Sequence, residues 1–267
     1  MRRERIEEPL LYYEVHGTEG PYLLLVHGIL SSRAQWMPNL KALTAFCRPV
    51  IAELLGHGRS PSPNDPECYA PNRYVREFER IREKLGVDRW FVCGQSLGAS
   101  LTLRYGLNHP KHIIAQAFTS SRSALGENPS EEVMKRMARR LEEGGRKALE
   151  EFPLHPSKSP HLKPEVKKAL IDDVNLINLR GFSYTLQYTI PQCSVYKIIH
   201  ENQIPTLLIA GKFDKLFAPL LPFAEKTIPN LEVLVFDGGH AVNIDAAEHF
   251  NEVVHNFFSR FLGGVRD

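Results

Sequence analysis

Short runs of β-branched and aromatic residues alternate along this chain with segments whose apolar residues recur at helical spacing. That rhythm predicts a sheet with helices on both faces. The runs that predict strands are Leu10 to Val15, Tyr22 to His27, Arg48 to Glu53, Trp90 to Gln95, His112 to Phe118, Pro205 to Ala210 and Leu231 to Phe236. Most are near-continuously apolar rather than alternating, which predicts strands buried on both faces in a largely parallel sheet. Between them, Tyr74 to Leu85 places Val75, Phe78, Ile81 and Leu85 on one helical face, and Ala246 to Leu262 places Phe250, Val253, Phe257 and Phe258 on another.

The rhythm stops between Arg122 and Asn202, where helical periods take over. The expected organisation is a core domain of residues 1–121 and 203–267, with a helical lid, residues 122–202, inserted into it. The first lid helix should have Asn128 as its cap, Pro129 in its first turn and Glu131 closing a capping box, with Val133, Met134, Met137 and Leu141 as its apolar stripe. Gly144-Gly145 should interrupt it. Pro153, Pro156, Pro160 and Pro164 then forbid regular structure until a second helix starts near Pro164, and a third apolar segment runs from Phe182 to Ile199.

Composition narrows the function. A chain of 267 residues with 43% hydrophobic content can bury one large α/β core. Lys plus Arg number 33 against 31 for Asp plus Glu, and a formal net charge of +2 gives no field that would gather nucleic acid. No stretch approaches ~20 apolar residues, and Met1 to Glu8 has no apolar run behind its basic residues, so a cytoplasmic protein without membrane partners is expected. Cys47, Cys68, Cys93 and Cys193 lie without a CxxC pair or a His at ligand spacing, which argues against a disulfide framework and a zinc site.

The candidate chemistry centres on Gly94-Gln95-Ser96-Leu97-Gly98, directly between a predicted strand and a helix, Ala99 to Asn108. A serine at the tip of such a turn is forced into a strained backbone, and the flanking glycines let strand and helix approach closely. A serine hydroxyl is a poor nucleophile at neutral pH and needs a base that is itself oriented by a third group. Asp214 and His240 each follow a predicted strand, at the carboxyl edge where ligands collect in parallel sheets. Asp237, on the short loop of His240, and Asp172 and Asp173, in the lid, are weaker candidates for the acid. His57 is read as shaping a loop. The backbone N–H groups of Ile29 and Leu97 are the expected oxyanion donors. Trp36 reaches either the pocket or the plain core, and Arg122 is either a carboxylate anchor or a surface residue at the lid hinge.

With these residues assembled, the chain resembles the α/β-hydrolase superfamily over residues 10–263. Leu23-Leu24-Leu25-Val26-His27-Gly28, Gly56-His57-Gly58-Arg59-Ser60, the segment around Ser96 and Gly238-Gly239-His240 match its landmarks in order. The resemblance implies an α/β-hydrolase fold, a mostly parallel central sheet flanked by helices, and a Ser96–His240–Asp214 triad. Many relatives carry Asp where Glu53 stands, a position that is usually structural, and Ser96 in place of Asp argues against the branches with a carboxylate nucleophile. The leading expectation is hydrolysis of a carboxylic ester or thioester of a small organic substrate through an acyl-Ser96 intermediate. No metal or cofactor is implied, and homo-oligomerisation stays open. The same triad also serves C–C bond hydrolases and lyases, and a ligand receptor with little turnover is the rival from another class.

Overall fold

The computed structural model describes residues 10–159 and 162–264. Pro160 and His161, part of the Pro-rich stretch, lie outside the described residues. The strands are β1 (Tyr13–Val15), β2 (Tyr22–Val26), β3 (Arg48–Ala52), β4 (Trp90–Gly94), β5 (Ile113–Thr119), β6 (Thr206–Gly211) and β7 (Leu231–Phe236). They form one sheet in the order β1-β3-β2-β4-β5-β6-β7, with β1 antiparallel to β3 and the other pairings parallel. The helices are α1 (Met37–Leu43), α2 (Pro71–Lys84), α3 (Leu97–Asn108), α4 (Arg122–Leu125), α5 (Glu131–Glu150), α6 (Pro164–Val174), α7 (Leu179–Tyr184), α8 (Leu221–Thr227), α9 (Val242–Asp245) and α10 (Ala247–Ser259). This is the α/β-hydrolase architecture expected from the landmarks.

Side chains that alternate along the strands feed two cores. Leu24, Val26, Val50 and Val92 pack with Phe78, Ile81, Leu101 and Tyr105 of α2 and α3. On the other face Leu23, Leu25, Ile51 and Phe91 pack with Trp36, Leu43, Phe250 and Phe258. Phe91 stacks on Phe258 with ring centroids 4.5 Å apart, a contact worth about 0.5–1.5 kcal/mol beyond its burial.

Three expectations need correction. Leu10 to Tyr12 is not strand. The Tyr12 carbonyl still accepts the Glu53 N–H at 3.0 Å, but the N–H groups go to side chains, Leu10 to Glu77 Oε2 at 2.6 Å and Tyr12 to Ser60 Oγ at 2.9 Å, so the ladder is not continued. β7 is not buried on both faces, because it closes the sheet and leaves Glu232, Leu234 and Val235 exposed. The long helix α5 starts at Glu131 after Ser130, not after Asn128, because Asn128 Oδ1 accepts the Ser194 N–H at 3.0 Å. Its interruption does fall at the glycine pair: Gly145, at φ 58° and ψ −142°, breaks the helical backbone.

Between β5 and β6 no strand occurs among the described residues, and α4 to α7 fill the interval. α6 begins at Pro164, whose fixed φ suits a first turn. No helix among the described residues is long and apolar enough to cross a membrane.

Candidate active site

Because β2 and β4 to β7 run in parallel, the segments that leave their carboxyl ends meet on one edge of the sheet. Ser96 stands between β4 and α3 with φ 51° and ψ −114°. A backbone of that kind costs on the order of 1–3 kcal/mol and persists only where its surroundings enforce it. They do. A Cβ on Gly98 would lie 2.2 Å from the Val26 carbonyl oxygen of β2, and one on Gly94 would lie 2.3 Å from Thr102 Oγ1 of α3, so only glycine lets α3 start this close to β2 and β4. The Ser96 carbonyl accepts the Ser100 N–H at 3.2 Å and the Ser121 hydroxyl at 2.6 Å, which holds the turn from below.

Asp214 follows β6 and His240 follows β7. His240 Nδ1 donates to Asp214 Oδ2 at 2.7 Å, while Asp214 Oδ1 accepts the N–H groups of Leu216 and Phe217, each at 3.2 Å. Burial opposes the charge on Asp214, but the His240 bond and these two N–H groups outweigh it and hold the carboxyl below its usual pKa. An ionised Asp214 fixes the Nδ1–H tautomer and leaves Nε2 as the basic nitrogen. The His240 loop is held in turn by Gly239 N–H to Asp245 Oδ2 at 2.9 Å and Gln95 Nε2 to the His240 carbonyl at 3.3 Å. The rival acids lie elsewhere: exposed Asp237 pairs with Lys212 at 3.0 Å, and Asp172 with Lys168 at 2.6 Å.

Ser96 and His240 line one cavity of about 240 Å³ together with Ile29, Gln35 and Ile244. The Ser96 hydroxyl and His240 are not hydrogen-bonded among the described residues, and contacts of this type commonly tighten only with substrate in place. The outer wall comes from the helical stretch before β6, through Pro153 to Pro156, Lys158, Ser159, Leu162 and Leu170.

The loop that carries Ile29 is fixed by buried histidines. Leu54 N–H donates to His27 Nε2, so His27 Nδ1–H donates to the Gly28 carbonyl at 2.7 Å. Leu30 N–H meets His57 Nε2 at 3.4 Å, so His57 Nδ1–H donates to the Leu55 carbonyl at 3.0 Å. Burial lowers the pKa of His27 to about 3 and that of His57 to about 4, which keeps both rings neutral. His57 thus shapes a loop. Gly28 lies against the elbow: a Cβ there would sit 3.1 Å from Ser96 Cβ. Leu97 opens α3, where the first N–H groups have no acceptor within the helix.

The two expected substrate contacts are not at the cavity. Trp36 is fully buried against Phe250, with ring centroids 6.3 Å apart, and belongs to the core. Arg122 is exposed at the start of α4, so it offers no buried guanidinium. Conversely, Gln35, His155, Lys158 and Asp245 line the cavity without any sequence signal that points there. Asp173 also has a place: it accepts the Ser32 hydroxyl at 2.7 Å and an Arg59 N–H at 3.3 Å, joining α6 to the loop after β2. Glu53 accepts the N–H groups of Arg33 and Arg59, a structural role. Away from the cavity, ligand atoms of Glu79, His109 and His112 lie within 4.8 Å of one another, but the Glu79 carboxylate already accepts from Arg82, Tyr105 and His112.

A family model described as alpha/beta hydrolase fold matches residues 21–247. The putative carbamate hydrolase RutD of Stutzerimonas stutzeri is 26% identical over 96% of this chain and 99% of its own length. The putative 2-succinyl-6-hydroxy-2,4-cyclohexadiene-1-carboxylate synthase of Bacillus subtilis is 24% identical over 90% of this chain and 93% of its own. Among solved structures, the enol-lactonase of Burkholderia xenovorans LB400 superposes with a TM-score of 0.82 at 21% identity, covering 93% of this chain and 96% of that one.

Proposed function

The chain belongs to the α/β-hydrolase-fold family, and from that premise we propose that it cleaves a carboxylic ester or thioester of a small organic substrate through an acyl-Ser96 intermediate. The observation that carries this reading is the 2.7 Å Asp214–His240 bond behind a cavity that His240 and the strained Ser96 both line. Residues 1–121 and 203–267 form the catalytic core in this reading, and residues 122–202 are the lid that excludes water from the reaction.

Ser96 Oγ attacks the carbonyl carbon as His240 Nε2 takes its proton, and the imidazolium so formed is stabilised by Asp214. The carbonyl oxygen becomes an oxyanion, which the Ile29 and Leu97 N–H groups receive. Collapse expels the alcohol or thiol, protonated by His240. Water, deprotonated by the same imidazole, then attacks the acyl carbon and frees Ser96.

A fluorophosphonate probe should label Ser96 alone, one group per chain, with the site read by mass spectrometry. Ser96→Ala and His240→Ala should each lower kcat by up to ~10⁶, and the double variant should be hardly worse, because triad members act as a unit. A label on another serine, or multiplicative losses, overturns the assignment. The Bacillus relative carries the name of a synthase and not of a hydrolase, which leaves a second reading, in which the same triad runs a C–C bond hydrolase or lyase reaction. A nitrophenyl ester assayed beside a chromophoric dienoic diketone separates the two.

A further inference from the structure

The lid wall of the cavity is apolar except for a few groups, and one of these is a histidine whose protonation pattern can be read. His155 is only 6% exposed and lines the cavity that holds Ser96. Its Nδ1 lies 3.2 Å from the Ser157 backbone nitrogen and 2.7 Å from the Ser157 hydroxyl, capping the short turn Pro156–Lys158. A backbone N–H only donates, so Nδ1 is the acceptor and the proton of the neutral ring sits on Nε2. Burial lowers the His155 pKa, which favours that neutral form. Nε2 has no hydrogen-bond partner among the described residues. The neighbouring cation does not compete for its role, because Lys158 Nζ is turned back onto the Glu151 carbonyl.

Resting on the reading of Ser96 as nucleophile, we infer that His155 Nε2–H is a specificity-determining donor, which receives a neutral oxygen of the substrate, a keto, ether or hydroxyl group, beneath the lid. An all-hydrocarbon group at that place displaces the water this donor otherwise meets and leaves it without a partner, whereas an oxygen placed there completes its hydrogen bonding. The preference is for a neutral acceptor because the ring is uncharged and the lid ammonium is already engaged.

Isosteric substrates test this. Nitrophenyl butanoate and nitrophenyl methoxyacetate differ by CH₂ against O in the acyl group, and butyl and 2-methoxyethyl esters of one acid differ likewise in the alcohol. His155→Asn keeps an acceptor where Nδ1 stands and removes the far donor, while His155→Gln places an amide N–H near the Nε2 position. In one of the two pairs, His155→Asn should lower kcat/KM for the oxygen-bearing ester by ~2- to 12-fold relative to its carbon partner, the worth of one hydrogen bond, and His155→Gln should recover most of it. Calorimetric binding of the same esters to Ser96→Ala chains, with and without His155→Asn, reads the contact without turnover. It therefore stands even if the wild type hydrolyses no ester, a result that counts against the proposed function instead. Equal losses for both members of each pair, or no loss in either, overturn the inference.

Discussion

Asp214→Asn isolates what the acid contributes. The carboxylate divides its work, Oδ2 receiving His240 Nδ1–H at 2.7 Å and Oδ1 receiving the Leu216 and Phe217 N–H groups. In the variant the amide oxygen keeps the two backbone bonds, so the amide nitrogen is left facing His240. Two N–H groups cannot hydrogen-bond to each other. The imidazole therefore moves its proton to Nε2, the nitrogen that must act as base, and the imidazolium loses its counter-charge. Loss of the correct tautomer is expected to lower kcat by ~10⁴, or ~5.4 kcal/mol at 1.36 kcal/mol per decade.

The same substitution has a pH signature. Asp214 has a folded pKa below its ordinary 3.8, so its ionic contribution to stability is complete above that value and is lost as the pH falls through the folded one. Urea midpoints of the wild type and Asp214→Asn should therefore differ at pH 7 and converge in acid. The kinetic assay needs only an activated ester and the control Asp237→Asn, whose carboxylate is exposed and paired with Lys212. If Asp214→Asn kept more than about a tenth of kcat, a deficit of under ~1.4 kcal/mol, or if Asp237→Asn cost as much, Asp214 would not be the orienting acid.

Other outcomes follow from the same geometry. Gly98→Ala forces a Cβ to within 2.2 Å of the Val26 carbonyl and 2.5 Å of the His27 carbonyl, so it should cost about 1–3 kcal/mol or more and depress kcat with it; Gly263→Ala, with open space around it, should leave the melting temperature unchanged. Acid should destabilise the fold well above the carboxylate range, because burial holds His27 at about 3 and His57 at about 4 against an ordinary 6.5. The unfolded chain takes up these protons first, so their contribution is complete above pH 6.5 and drains away toward the folded values; a urea midpoint constant from pH 7 to pH 4.5 would refute the burial argument. Arg122→Ala should leave KM for acidic substrates unchanged relative to neutral ones, since the guanidinium is exposed and outside the cavity, and a selective rise would restore it as an anchor.

The sheet was legible because its central strands are continuous apolar runs, such as Trp90-Phe91-Val92-Cys93, whose burial on both faces leaves no competing pattern. The pattern failed at the two edges, for one reason. A strand with a single neighbour is held or bounded by what lies beside it, so Leu10 to Tyr12 depends on the side chains of Glu77 and Ser60, and β7 carries apolar residues with half the cover of an interior strand. The start of α5 was misplaced by similar logic. Asn128 is a good cap in isolation, but its oxygen is taken by Ser194, which is 66 residues away.

The candidate chemistry was legible for a local reason and the substrate contacts illegible for a distant one. Gly94 to Gly98 reads as a tight strand-to-helix turn by itself, although only Gly94 has its steric reason in the elements that the turn joins, whereas Gly98 is required by the Val26 and His27 carbonyls beside it. The cavity is instead made where residues 29–35 and 239–245 meet residues 153–159, Leu162 and Leu170, and nothing in either stretch signals the other. His155 reads as one more residue in a proline-rich loop until the fold seats it in the wall of the cavity that Ser96 lines. The two halves are also coupled. Asp173 of α6 accepts from Ser32, three residues beyond Ile29, and from Arg59, which also reaches Glu53. The helical stretch before β6 and the loop after β2 therefore share a hydrogen-bond network, and groups so connected are not energetically independent. On the proposed reading, substitutions that alter how α6 sits should shift the Ile29 N–H along with the wall of the pocket, so specificity and rate should vary together.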